Sequence, residues 1–280
     1  MVATARKKGG RRLAAEVPGS GGIPRVRTYI EGLDERMQGG IPAGSVVLVS
    51  GVSGTMKSSV AFNILFNEAL RGNNGLYLTL EQSSESFITH LKSLGFAIDK
   101  VDMVVVSSVV ELDSKLSELK SGKSAIVLAD MSILRKGASK RVDIGASSLV
   151  SMVRNFVIRM KAANFGIFVL DSLSAFYIIS KFESPRQDLF NFFGFLRDSG
   201  VTSLLISEMP LKRDRYGDYE IEEFLADGVI KLDLVERQRK VTREISVVKM
   251  RATKCSNDVF SLEFDKGRFR ALYGGQPPLI

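Results

Sequence analysis

The sequence predicts an α/β fold, a mainly parallel sheet flanked by helices, with antiparallel β-hairpins at its C-terminal end. Two patterns predict it. Between residues 45 and 208, apolar runs such as VVLVS, LYLTL, SAIVLA, FGIFVLD and VTSLLIS alternate with amphipathic stretches of helical length. Near-continuous apolar strands between helices belong to sheets covered on both faces. From Gly228 onward the apolar period drops to two around the basic turn RQRK, the pattern of a hairpin. A chain of 280 residues, 45% hydrophobic and 25% charged, is long enough to bury one large core.

Each element follows from local composition. RTYIEGLDERMQGGIPAGS turns into the first long strand, VVLVS, through its Gly-Gly and Pro-Ala-Gly-Ser punctuation. A helix runs from Lys57 to about Leu70, with Val60, Ile64 and Leu65 at helical spacing. The strand LYLTL (76–80), a helix through ESFITHLKSL, the strand VDMVVV and a helix near ELDSKLSELKS lead to the run SAIVLA. The polar stretch ADMSILRKGASKRVDIGAS reads as a loop or irregular insertion. A long helix over about 145–163 carries Val150, Val153, Val157 and Met160 as a packing stripe. FGIFVLDSLSAFYIIS is the longest apolar run, short of the ~20 residues of a membrane span. Its central Asp171 marks it as a buried strand. A helix over QDLFNFFGFLRDSG and the strand VTSLLIS follow. Two hairpins close the chain, the second (VFSLEFDKGRFRAL) turning at Asp265-Lys266-Gly267. No internal repeat and no linker divides this body.

The net charge of +8, from 39 basic and 31 acidic residues, is uneven. Arg6, Lys7, Lys8, Arg11, Arg12, Arg25 and Arg27 face only Glu16 within residues 1–27, which accounts for +6 of it. MVATARKKGGRRLAAEVPGSGG has too few apolar residues to fold alone. It lacks the apolar core of a secretory signal, and its glycines interrupt any amphipathic transit helix. It reads either as an electrostatic arm for nucleic acid or anionic lipid, or as a solubilising tail. The expected organisation is a disordered basic tail (1–24), one domain (25–274) and a short C-terminal tail (275–280). One cysteine, Cys255, excludes internal disulfides and fits a reducing cytoplasm. With a single histidine, His90, in an expected surface helix, neither a usual zinc cluster nor a Ser-His-Asp triad is expected.

The chemistry gathers at strand ends. SVVLVSGVSGTMKSSVAF (45–62) is a strand, a small-residue loop and a helix start. It fits the phosphate-loop template G-x-x-x-x-G-K-[ST] at Gly51, Lys57 and Ser58, but Met56 stands where the template has its second glycine. A side chain there has to point away from the phosphates, on a backbone that glycine reaches more easily. Ligands of an open parallel sheet collect at the carboxyl ends of its strands. Here those ends are SGVSGTMKSS, Glu81-Gln82, Asp171-Ser172 and Ser207-Glu208. The loop residues Gly51, Ser53, Gly54, Thr55, Met56, Lys57, Ser58 and Ser59 would cradle phosphates at a helix N-terminus. Lys57 adds positive charge near the β and γ oxygens, Ser58 is placed to ligate Mg²⁺, and Asp171 to orient a water on that metal. Glu81 would polarise the attacking water, and Ser207 would sense the γ-phosphate. Plainer roles stand beside these: a Gly-rich turn without nucleotide, Asp171 as a turn cap, and Glu81 as an acid near the next helix start.

On these residues the chain resembles the RecA-like P-loop ATPases, and among them the KaiC-type single-domain archaeal proteins. The resemblance runs from about Arg25 to Leu272 through IEGLDERMQGGIPAGSVVLVSGVSGTMKSS, LYLTLEQSSES, FVLDSLSAF, GVTSLLISEMP, EEFLADGVIKL and VVKMRAT. It implies an ATP-binding domain that assembles into homo-oligomeric rings, often hexamers, with each site between neighbours. In such rings a basic pair from one subunit reaches the phosphates of the next, and KMR puts Lys249 and Arg251 in that role. The plainer reading is two outward residues of one strand face. Three departures matter. They are Met56, Gln82 where many members have a second carboxylate, and Glu222, Glu223 and Phe224 where clock members carry autophosphorylated hydroxyls. The last, with a single domain here, argues against a clock-type autokinase. The expected function is a slow Mg²⁺-dependent ATPase acting as an assembly-coupled switch or signalling module that works on a protein partner. The alternatives are a non-hydrolysing nucleotide sensor, and a RecA/RadA-like recombination accessory that binds DNA through its basic tail or through LKRDRYGDYEIEE. In that last segment Lys212, Arg213 and Arg215 are outweighed by acids.

Overall fold

Three two-residue strands, β1 (Arg25–Val26), β2 (Ile30–Glu31) and β3 (Ile41–Pro42), precede the first long strand in the computed structural model. The structure describes residues 22–118, 124–132, 146–180, 182–210, 216–237 and 239–273. β4 (Val46–Gly51), α1 (Lys57–Leu70), β5 (Gly75–Thr79), α2 (Ser84–Ser93), β6 (Asp102–Val106), α3 (Val109–Glu118) and β7 (Ala125–Asp130) follow in the expected order. After them come α4 (Ala146–Ala162), β8 (Ile167–Asp171), α5 (Leu173–Ser180), α6 (Pro185–Ser199), β9 (Thr202–Glu208) and the single turn α7 (Glu222–Leu225). The hairpins β10 (Gly228–Arg237)/β11 (Lys240–Met250) and β12 (Val259–Asp265)/β13 (Arg268–Tyr273) end the described chain.

Eleven strands form one sheet in the order β2-β13-β12-β11-β10-β4-β9-β8-β5-β7-β6. Every neighbouring pair from β10 to β6 is parallel, so those carboxyl ends share one edge. The hairpin pairs are antiparallel. β4, β5 and β8 are buried along their whole length, as their predominantly apolar sequences require. One face packs on α1 and α2 in a core that includes Phe62, Ile64, Phe87, Val49 and Ile206. The other packs on α3, α4, α5 and α6 through Leu48, Leu112, Val153, Phe176, Phe192 and Leu205. α1 is buried nearly all round because the N-terminal segment crosses its outer side. Asn63 Nδ2 donates to the Thr28 carbonyl at 2.9 Å, and the Tyr29 hydroxyl donates to Glu68 at 2.6 Å.

Two expectations are refined. FGIFVLDSLSAFYIIS is not one strand: it is β8 up to Asp171, then the helix α5. Ser172 Oγ accepts from the Ala175 amide at 3.3 Å, and Leu173, Phe176 and Tyr177 turn inward while Ile178 is 76% exposed. That is a helical stripe, which the high apolar content of the run conceals. The second hairpin turns at Lys266 (φ 47°) and Gly267 (φ 76°), the two left-handed residues of a tight hairpin. His90 is exposed on α2, as expected. No described helix is long and apolar enough to cross a membrane. The basic tail up to residue 21, the polar stretch 133–145, residues 211–215 of LKRDRYGDYEIEE and the end from residue 274 lie outside the described residues.

Candidate functional site

The loop after β4 is shaped by what each residue can tolerate. A Cβ on Gly51 would collide with the Leu232 carbonyl oxygen of β10, so only glycine fits there. Gly54 (φ 83°) and Met56 (φ 71°, ψ 30°) are both left-handed. For a residue with a Cβ this costs roughly 1–2 kcal/mol, and Met56 offsets part of it by packing half-buried against the core on the α1 side. Ser53 and Gly54 are exposed, while Thr55, Lys57 and Ser59 are buried and Ser58 is half-buried. The Thr55 hydroxyl donates to the Val52 carbonyl at 2.8 Å. The Val60 amide donates to the Met56 carbonyl at 2.9 Å and closes the first turn of α1. The amides of residues 57–59 precede that turn and have no intrahelical partner. From β11, Arg243 Nε donates to the Gly54 carbonyl at 3.3 Å.

Two neighbouring strands deliver carboxylates to this loop. The Leu80 amide donates to the Asp171 carbonyl at 2.7 Å, locking the ends of β5 and β8 together. Asp171 is 4% exposed, and its carboxylate accepts from the Tyr77 hydroxyl at 2.5 Å and from the Ser58 hydroxyl. Burial pushes its carboxyl up to about 6; these two hydrogen bonds pull the other way, Glu81 adds to the rise, and Lys57 opposes it. Tyr77 is driven well above its ordinary value, first by burial and then by the Asp171 charge. Glu81 sits in a turn held by the Thr79 hydroxyl, which donates to the Gln82 carbonyl at 2.9 Å. The Ser172 hydroxyl donates to the Glu81 carboxylate. The cap of α2 is Ser83 and the acid of its first turn is Glu85; Glu81 stands two residues before that cap.

Lys57 faces these acids from the loop. Its Nζ donates to the Val52 carbonyl at 3.1 Å and lies 3.9 Å from Glu208 Oε1 at the end of β9. Burial pulls its pKa down, and Glu208, Asp171 and Glu81, in that order, oppose the shift. Ser207 alternates with Leu205 and so points to the sheet face opposite α1. Its hydroxyl is buried and has no hydrogen-bond partner among the described residues. Lys249 and Arg251 lie elsewhere. Lys249 pairs with Val229, which lies beside Leu48, about 10 Å along the strands from Gly51. Its Nζ donates to the Glu223 and Ala226 carbonyls at 2.8 and 2.7 Å, and Arg251 NH1 donates to Asp227 at 2.8 Å.

The structure thus brings together the loop, Lys57, Ser58, Asp171 and Glu81. It leaves Ser207 on the opposite face and the basic pair at the other end of the strands. Tyr77, Ser172 and Glu208 were not assigned a role from the sequence. Ser172 and Glu208 carried a usable signal, since each stands beside a strand-end residue. Tyr77 carried none, because inside LYLTL it reads as ordinary strand packing.

Known proteins resemble this chain over most of its length. A family model described as "ATPase: KaiC" matches residues 26–269. A UPF0273 protein of Sulfurisphaera tokodaii is 30% identical over 240 residues, covering 84% of this chain and 77% of its own. Circadian clock protein KaiC3 of Synechocystis is 29% identical over 234 residues, which is 83% of this chain but only 42% of KaiC3. Among solved structures, a KaiC-like protein of the archaeon Pyrococcus horikoshii OT3 aligns with a TM-score of 0.67 at 27% identity, covering 89% of this chain and 99% of that one. With a RecA-like α/β fold and a family match from the first described strand into the last, the chain belongs to the KaiC family of ATPases.

Proposed function

We propose that the protein binds ATP in the β4–α1 loop and hydrolyses it slowly with Mg²⁺, as a switch coupled to its own assembly into a ring. The observation that carries this reading is the meeting of Lys57, Ser58, Asp171 and Glu81 at one sheet edge, in contact through Ser58–Asp171 and Ser172–Glu81. The amides at the start of α1 and Lys57 would hold the phosphates. The Ser58 hydroxyl and the Asp171 carboxylate are adjacent oxygen donors, a pair that suits a hard divalent cation completing its shell with phosphate oxygens and water. Mg²⁺, when bound, would neutralise charge across the β and γ oxygens. Glu81, oriented by Ser172, would accept the hydrogen bond of the attacking water and then its proton. Positioning carries this chemistry, and a loop that spends strain on Met56 favours slow turnover. Steady-state phosphate release tests the reading. Wild type should turn over only with Mg²⁺, Lys57→Ala should lose nucleotide binding, and Glu81→Gln should bind nucleotide yet fall at least about a hundredfold in rate. Wild-type protein that releases no phosphate at any concentration is not an ATPase.

A second reading, a nucleotide sensor with negligible hydrolysis, draws on Met56 and on Gln82 beside Glu81. Tight binding of a fluorescent ATP analogue without phosphate release would favour it.

A further inference from the structure

Glu208 ends β9 and alternates with Leu204 and Ile206, which pack in the core of α1, so its side chain leaves the strand end on the phosphate-loop side. Its carboxylate is half exposed and lies 3.9 Å from Lys57 Nζ, which also donates to the Val52 carbonyl. Of the acids around that buried ammonium, Glu208 exerts the largest pull. It also lines a cavity of about 390 Å³ with Ser174, Tyr177, Met209, Asp218 and Tyr219, which leaves its side chain room to turn away from the loop.

We propose that Glu208 is a specificity-determining counter-charge: its carboxylate pairs with Lys57 and must be displaced by the third phosphate of a nucleoside triphosphate. The inference rests on the nucleotide-binding reading above. A loop lysine reaches the β and γ oxygens. The negative charge a triphosphate adds over a diphosphate therefore arrives at the ammonium that Glu208 holds, next to a carboxylate of like sign. Glu208 thus opposes triphosphate binding more than diphosphate binding, and its displacement toward the cavity reports which nucleotide is bound.

Calorimetry on the full chain with Mg-ATP and Mg-ADP tests this with wild type, Glu208→Gln, Glu208→Ala and Glu208→Asp. The neutral variants should tighten Mg-ATP binding about tenfold, which is about 1.4 kcal/mol, and Mg-ADP binding less than about threefold. The charge-keeping Glu208→Asp should stay within about twofold of wild type for both. Glu208→Ala guards against a fold defect particular to the Gln variant. Neutral variants that bind Mg-ATP more weakly, or that shift both nucleotides equally, overturn the proposal and leave the nucleotide site standing. Wild-type protein that binds neither nucleotide overturns both.

Discussion

Met56 is a left-handed residue bearing a long side chain, at the position where the phosphate-loop template has glycine. Glycine would remove roughly 1 kcal/mol of backbone strain and also the half-buried packing of the thioether. Met56→Gly is therefore expected to leave stability to urea within about 1 kcal/mol of wild type. It should raise steady-state phosphate release several-fold, since the freed loop closes on phosphate more easily. An unchanged rate would mean that Met56 is not the brake. Asp171 makes a separate prediction. Its carboxyl is pushed up to about 6, mainly by burial, against about 3.9 in an unfolded chain. Between those values the native state holds more protons than the unfolded state. Stability therefore falls as pH rises through that window, and the loss persists at pH 7. Asp171→Asn should stabilise the nucleotide-free protein at pH 7 by on the order of 2 kcal/mol and flatten the curve between about pH 4 and pH 6. Urea denaturation at several pH values would show it, and a variant with the wild-type slope would refute it.

Elements were legible where one local rule decided them. α1 begins at Lys57 and ends at Leu70 as read from spacing alone, and the hairpin at Lys266-Gly267 follows from turn chemistry. α5 was hidden because strand and helix adjoin in one apolar run, where periodicity is hardest to read. The short α7 depends on contacts made across the fold. Glu222 is fully buried and accepts from the Tyr177 hydroxyl at 3.0 Å and from the Tyr219 and Ile221 amides at 3.1 Å each. A carboxylate so enclosed, accepting three donors, ties α5 to the segment whose carbonyls receive Lys249. Nothing in EEFLADG announces that arrangement, since two adjacent glutamates more often form a solvated face.

At the scale of the whole molecule, the informative feature is a separation. Lys249 and Arg251 cannot reach the phosphate loop of their own chain, because they flank the opposite ends of the strands that carry it. A catalytic role for them requires a neighbouring copy, which makes ring assembly and turnover one question. Lys249→Ala and Arg251→Ala should each lower turnover at least about tenfold while leaving Mg-ATP affinity within about threefold of wild type. Turnover per chain should also rise with protein concentration as rings form, which mass photometry with and without Mg-ATP would follow in parallel. Full activity in a dilute monomeric sample would remove the need for a second copy.

Local composition and spacing encode the α/β class, the strand-loop-helix around Lys57, the hairpins, and which strand ends carry acids. Short-range forces settle all of these: side-chain periodicity, turn conformations and the burial of apolar runs. Long-range packing sets the rest: Tyr77 and Ser58 share the Asp171 carboxylate, Ser172 holds Glu81, and Glu208 rather than Ser207 lies beside Lys57. These contacts join residues up to more than a hundred positions apart, and they depend on strand order and on which face each side chain takes. No local pattern encodes either.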